Sequence, residues 1–139
     1  MAGSLVNREW HGDEIRIRVN RASGRGIVGI GEATSVETKR VTHVGLSGNL
    51  RRSVHAAPVG YDGSNDESTA ELSDLTSVID GEPTSTPLGP AVEVGSWLDY
   101  ACAEWVGRSH PGVTQGLEQV RGARADRIMR KAFAEEGLM

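Results

Sequence analysis

The side chains best able to do chemistry are one thiol, Cys102, and four imidazoles, at His11, His43, His55 and His110. A cysteine nucleophile needs a nearby base and a lowered pKa. Cys102 lies between two alanines in a segment with helical spacing, where a small buried thiol is the ordinary outcome. The histidines show neither HxH nor HExxH spacing, which zinc sites often use. We therefore expect no enzyme activity, no metal and no cofactor.

Two further patterns resemble sites without completing them. Gly24, Gly26 and Gly29 match the GxGxxG spacing of a dinucleotide-binding loop, but no buried strand of a βαβ unit precedes them. Asp99 and Glu104 are five residues apart on a predicted helix, a poor spacing for a carboxylate pair. We expect surface charges there and no nucleotide site.

A pair of adjacent arginines, Arg51 and Arg52, is the feature that calls for a function. They lie in the stretch LSGNLRRSVHAAPVG, residues 46–60, between apolar residues. The plain interpretation is a solvated strand edge. An anion site, a nucleic-acid contact and an interface with a neighbouring subunit are the alternatives.

The overall composition limits the class of protein. The chain has 139 residues, a length that suits a single domain (1–139), with residues 1–12 as an N-terminal arm. Its net charge of -4 argues against a general nucleic-acid binder. One cysteine excludes an internal disulfide, and there is no 18-residue apolar run or secretion signal. We expect a soluble, cytoplasmic product that makes no membrane contact.

The acidic residues are concentrated in one segment. Residues 61–90 hold seven carboxylates and no lysine or arginine, and they are rich in Ser, Thr, Gly and Pro. Within them Leu72, Leu75, Val78 and Ile79 have helix-like spacing. Long loops of this kind are usually functional or disordered. We expect an extended acidic loop or arm, and we favour one that lies on an adjacent subunit.

Periodicity predicts the elements around this loop. Residues 15–19 alternate like a strand, but a helical pattern runs much further, from about 13 to 41, so we favour a long helix. Residues 50–59 alternate and predict a strand that ends at Pro58. Residues 90–96 predict a second strand, with Glu93 opposite in face to Val92 and Val94. We expect these strands to pair, with the acidic loop connecting them as a long hairpin.

Helices are predicted after the second strand. Ser96 can cap a helix that stops at Gly107 and carries Trp97, Tyr100 and Glu104 on one broad face. A final helix is predicted over about residues 114–136, with a basic stripe of Arg124, Arg127, Arg130 and Lys131. The predicted fold class is α+β: a small antiparallel sheet packed with a long N-terminal helix and C-terminal helices.

Two blocks of sequence resemble a known family. Residues 47–54, SGNLRRSV, are similar to a TG-x-L-R-x-S-I signature. Residues 92–96, VEVGS, followed by Tyr100-Ala101, Glu104 and Gly107, are similar to a V-x-V-G-[ST]…Y-A…E-x-G block, and His110-Pro111-Gly112 forms the turn that often follows it. In order and spacing these blocks resemble the neck and tail-completion proteins of tailed bacteriophages.

The resemblance implies an α+β fold and a structural function. Members of that family act at the head-to-tail junction, where copies of one chain form a ring and DNA passes through its lumen. It implies that the chain is made in the host cytoplasm and resides in the virion, with further copies of itself and adjacent neck, head-closure or tail-terminator proteins as partners. A tail terminator is the alternative, and a small nucleic-acid-binding regulator is a further one.

The interface residues follow from the same interpretation. Strand alternation would send Arg51 and Arg52 to opposite faces, one toward the chain's own Glu93 or Glu104 and the other toward a neighbour or the lumen. We expect the following side chains at interfaces: Arg51, Arg52, Glu93, Trp97, Tyr100, Glu104, Arg124, Arg127 and Arg130.

Overall fold

A single long helix lies at the centre of the fold and contacts most of the other elements. The computed structural model describes residues 12–42, 49–60, 82–96, 98, 101 and 103–139. Helix α1, Gly12–Val41, runs without a break for 30 residues, about 45 Å at the usual rise. Asp13 and Glu14 in its first turn and Lys39 and Arg40 in its last turn suit the helix dipole. The helix predicted over 13–41 is confirmed, and the strand alternative is wrong.

The glycines of α1 do not break the helix. Three of them lie where α1 contacts neighbouring elements. A methyl group on Gly31 would lie 2.8 Å from Val92 Cγ2 and 3.2 Å from Ala56 Cβ, both in the sheet. On the other side, Gly26 faces Met129 and Gly29 faces Ile128 of the C-terminal helix. Glycine lets the neighbouring elements approach the helix closely on two sides.

The C-terminal half of α1, together with Thr42 directly after it, buries polar side chains that are hydrogen-bonded locally. The hydroxyls of Thr34, Ser35, Thr38 and Thr42 each donate to the backbone carbonyl four residues earlier, at 2.6–3.0 Å. All four residues are buried. A buried hydroxyl without a partner would cost free energy, so these bonds let a polar helix face lie in the interior.

The sheet has three antiparallel strands: β1, His55–Pro58; β2, Thr84–Thr86; and β3, Gly89–Gly95. Their order is β1-β3-β2, with His55 opposite Gly95 and Thr86 opposite Gly89. The predicted pairing of the strand after Arg52 with the strand before Ser96 is confirmed. The acidic loop is shorter than expected, because part of residues 61–90 forms β2 and the tight β2–β3 hairpin.

The segment that carries the paired arginines is helical, and the strand prediction was wrong there. Helix α2, Asn49–Ser53, is one turn long and contains both Arg51 and Arg52. The Ser53 hydroxyl donates to Leu50 O at 2.7 Å, which closes the turn. Leu50, Ser53 and Val54 are buried, at intervals of three and four residues that suit a helix and not a strand. Successive helical residues are about 100° apart, so the two arginines do not point to opposite faces.

The C-terminal segment folds as a π-helical turn, Ala103–Gly107, and two helices, α3, Val113–Val120, and α4, Ala123–Glu135. The end predicted at Gly107 is confirmed. The single helix predicted over 114–136 is wrong, because the chain breaks at Gly122, whose φ of 87° lies in the left-handed region. Both helices pack on α1.

These contacts place α1 between the sheet and the C-terminal helices, which confirms the α+β fold class. Several expectations concern residues that the structure does not describe: most of the N-terminal arm, the acidic residues 61–81, Trp97, Tyr100 and Cys102. Among the helices that it does describe, none combines the length and the apolar character needed to cross a membrane.

The tightest helix contact gives a stability prediction. A Cβ on Gly116 of α3 would overlap Thr38 Oγ1 and lie 2.8 Å from Thr38 N and 3.0 Å from Thr34 O, which are backbone atoms of α1. We expect Gly116→Ala to lower the free energy of unfolding by about 1–3 kcal/mol. Gly24→Ala is the matched control, because among the described residues its Cβ would meet only Pro83 Cγ, at 3.7 Å.

The control variant should be as stable as the parent or more stable by up to about 1 kcal/mol, since alanine favours the helix. Urea unfolding of both variants measures the difference. Equal stabilities for the two variants would show that α3 does not lie this close to α1.

Candidate functional site

The two sequence blocks that carry the family resemblance meet in space. Ser53 closes α2, and Ser96 follows β3, and their hydroxyl oxygens lie 2.5 Å apart although 43 residues separate them. Ser96 Oγ also accepts a hydrogen bond from Leu98 N–H at 3.2 Å. This bond is of the kind an N-cap serine makes, and it agrees with the capping role predicted for Ser96.

His55 lies under this junction and has a structural position. It is fully buried, and its Nδ1 is 2.6 Å from the backbone oxygen of Ser53. A carbonyl oxygen can only accept, so Nδ1 carries the proton and donates this bond. The backbone of His55, which directly follows the first block, is paired with Gly95 of the second block in the β1–β3 ladder.

Arg51 and Arg52 are half-buried on α2, directly before the serine junction. Glu93 is half-buried on β3, where its backbone pairs with Ala57. Glu93 thus lies on the strand that pairs with β1, and β1 closely follows the helix that carries the two arginines.

Glu104 belongs to a separate cluster in the π-helical turn. Its carboxylate binds Arg108 Nη1 at 3.0 Å and His110 Nδ1 at 3.0 Å, and its backbone oxygen accepts from His110 N–H at 3.1 Å. Gly112 packs against the indole of Trp105, where a Cβ would lie 2.6 Å from Cγ. These contacts fold residues 104–112 into a compact turn. The observed partners of the Glu104 carboxylate, Arg108 and His110, are therefore in its own chain.

The predicted basic stripe is partly neutralised by the chain itself. Arg124 Nη1 lies 2.8 Å from Glu37 Oε1, and Arg40 Nη1 lies 3.0 Å from the same oxygen. Arg130 Nε pairs with Asp126 at 2.7 Å. Arg127 is exposed on α4. Arg124 thus joins α4 to α1, which makes the stripe a weaker candidate for a nucleic-acid surface than the sequence suggested.

A groove between α1 and the β2–β3 hairpin was not foreseen. It encloses about 940 Å³, and its walls include Gly24 and Val28 of α1 and Pro83, Pro87 and Pro90 of the hairpin. Arg21 and Arg25 border it, and they also form ion pairs of 3.3–3.7 Å with Glu135 and Glu136 at the C-terminal end of α4. The Pro-Leu-Gly sequence at 87–89 is the one signal that could have indicated this hairpin.

Within the described part of the chain, no group of three or more His, Cys, Asp or Glu side chains could hold a metal ion. Comparison with protein-family models, with curated proteins and with solved structures finds no match to this chain.

The Glu37–Arg124 pair gives a prediction about charge burial. The Glu37 side chain is only 11% exposed, whereas Asp126 and Arg130 are both more than 60% exposed. In a double-mutant cycle with Glu37→Gln and Arg124→Gln, we expect a coupling energy of about 1–2 kcal/mol. The matched cycle at Asp126 and Arg130 should give about 0.5 kcal/mol or less, because exposed pairs are screened by water and salt.

Urea unfolding at low and high salt measures both cycles. The coupling at Asp126–Arg130 should fall further in salt, while that at Glu37–Arg124 should largely persist. Equal couplings would mean that Arg124 does not bind a buried carboxylate.

Proposed function

We propose that this chain is a structural protein of the head-to-tail junction of a tailed bacteriophage, a neck connector or tail-completion component. The observation that carries the proposal is the meeting of the two resembling sequence blocks. In the structure, Ser53 of the first block contacts Ser96 of the second, and His55, which directly follows the first block, pairs with Gly95 of the second. The end of the first block and residues 95–96 of the second, which resemble one family in sequence order, thus also adjoin in the fold.

The fold class agrees with the proposal. The resemblance implies a helix laid across a small antiparallel sheet, with further helices after the last strand. Helix α1, the three strands and helices α3 and α4 have this arrangement. An α+β fold hosts many functions, so this agreement supports the proposal without being specific to it.

A ring subunit must present surfaces to its neighbours on two sides. Aliphatic side chains are exposed at several places, among them Ile15 and Ile17 near the start of α1, Leu88 at the hairpin tip and Val106 on the π-helical turn. In the proposed assembly, Arg51, Arg52, Glu93 and Arg127 take part in contacts between copies or with adjacent neck proteins. Trp97 and Tyr100 remain proposed interface residues, and DNA passes through the lumen without sequence-specific binding.

The proposal predicts a closed homomeric ring of about six to twelve copies, alone or on its neck partners. Light scattering and electron microscopy of the purified protein, and of virions that contain it, test this directly. A strict monomer that is missing from purified virions would count decisively against a neck function.

A charge reversal at Arg127 should weaken the ring. Arg127→Glu places a carboxylate where we propose a contact with a neighbour, so the fraction of assembled protein should fall and become more sensitive to salt. Arg121→Glu is the matched control, since Arg121 is an exposed arginine whose observed pairing is with Glu118 in its own chain. Unchanged assembly of the Arg127 variant would remove α4 from the interface.

A further inference from the structure

The groove between α1 and the β2–β3 hairpin carries negative charge that its own walls do not compensate. Glu32 lies on the α1 wall and Glu82 on the opposite wall, just before β2, and both are exposed. Among the residues that the structure describes, neither carboxylate has an ion-pair or hydrogen-bond partner. The cations at the groove, Arg21 and Arg25, are already paired with carboxylates at the end of α4. The charge that the groove offers to a ligand is therefore negative.

The remaining walls of the groove are largely apolar, and an exposed leucine lies beside them. The apolar lining residues are Val28, Pro83, Pro87 and Pro90. Leu88, at the tip of the hairpin, is completely exposed. Its turn is ordered, because Leu88 N–H donates to Thr86 Oγ1 at 3.2 Å and that hydroxyl donates to Gly89 O at 2.7 Å. An apolar groove continued by an exposed leucine is typical of a surface that another molecule covers.

The complementary charge lies on α4 of the same chain. Arg127 and Lys131 are exposed there, and neither has a carboxylate partner within the described ranges. Every other lysine or arginine that the structure describes has a partner, including Arg124 and Arg130 of the same helix. Positions 127 and 131 are four residues apart, so they share one helix face and are about 6 Å apart along its axis.

Within one copy these two surfaces do not meet. Helix α4 packs on α1 through residues 128 and 129, which lie against glycines of α1. Arg127 and Lys131 remain exposed, and no ion pair joins either of them to Glu32 or Glu82, although the structure describes all four residues. Contact between the unpaired cations and the unpaired carboxylates therefore requires two copies of the chain.

From these observations we propose that the groove of one copy binds the exposed face of α4 of a second copy, with Arg127 and Lys131 paired with Glu32 and Glu82. The methylene stems of the two cations lie along the proline-lined walls, while their charged ends reach the carboxylates. The partner surface thus provides both apolar contact and the missing positive charge.

The groove and the face of α4 are different surfaces of one chain, so this contact is heterologous. Each copy uses its groove for one neighbour and its α4 for the other, which produces a closed ring where the rotation between copies permits closure. The inference rests on the proposed function in one respect, namely that copies of the chain assemble.

Reversing the charges on each surface separately tests the contact. The helix variant carries Arg127→Glu and Lys131→Glu, and the groove variant carries Glu32→Lys and Glu82→Lys. All four side chains are exposed, so both variants should fold as the parent does, which circular dichroism checks. In either variant alone, like charges face each other. We expect the concentration needed for half-maximal assembly to rise by about tenfold or more.

Mixing the two variants should restore assembly. The acidic helix of one variant then faces the basic groove of the other, and the unchanged helix and groove also match, so the copies alternate. A single chain that carries all four substitutions should assemble as well, because both of its surfaces are reversed together. Sedimentation velocity over a concentration series measures the parent, each variant, the mixture and the fourfold variant.

The exposed Glu118–Arg121 pair supplies the matched controls. Glu118→Lys and Arg121→Glu each reverse a surface charge whose observed partner is in the same chain and outside both proposed surfaces. Neither substitution should change the concentration needed for assembly, and neither should restore assembly when mixed with the helix variant or the groove variant.

Assembly of the helix variant or the groove variant at the parent's concentration would overturn the contact and leave the neck function standing. Failure of both the mixture and the fourfold variant to recover assembly would also overturn it, as would a parent that stays monomeric at every concentration. Recovery as open chains, from a protein that is missing from virions, would support the contact and remove the neck function.

Discussion

The close packing of α1 on two sides is the constraint on which the rest of the structure depends. A helix covered by a sheet on one side and by helices on the other needs small residues wherever a neighbour's backbone or branched side chain approaches. Gly31 admits Val92 and Ala56, and Gly26 and Gly29 admit Met129 and Ile128. At the contact between α3 and α1 the small residue is on the other helix: Gly116 of α3 lies against Thr38 of α1.

This packing explains why the core is polar and poor in large side chains. Only one Phe, three Trp and two Tyr occur in the chain, so close contact of small residues replaces the bulk of an aromatic core. The serine and threonine hydroxyls of α1 are buried at no great cost, since each returns its hydrogen bond to its own helix. The carboxylate of the buried Glu37 is also paired, with Arg40 of the same helix and with Arg124 of α4.

The fold class could be predicted because long-range periodicity is a strong signal. The pattern of α1 persists over many turns and therefore outweighs five alternating residues at 15–19. The same logic failed at α2, because one helical turn is too short to show a period and the predicted strand was extended from β1 back over it. The break at Gly122 was overlooked because the apolar positions continue across it, so periodicity alone did not reveal the left-handed glycine.

The candidate site was predictable only in part, for a related reason. Neighbours in sequence can be recognised from their spacing, but the Ser53–Ser96 contact and the Arg124–Glu37 pair join residues 43 and 87 positions apart. No pattern within one segment encodes such pairs. The groove depends on β2, three residues hidden in a segment whose composition resembles a loop.

The bond between Thr84 and Val59 has a consequence for how this protein can change over generations. It closes the chain at the base of residues 61–81, so the sheet is complete without them. The entropy of closing a loop grows slowly with its length, by about 0.6 kcal/mol per doubling. Insertions and deletions here are therefore nearly neutral for folding, which makes this base a natural point at which the protein can acquire new sequence.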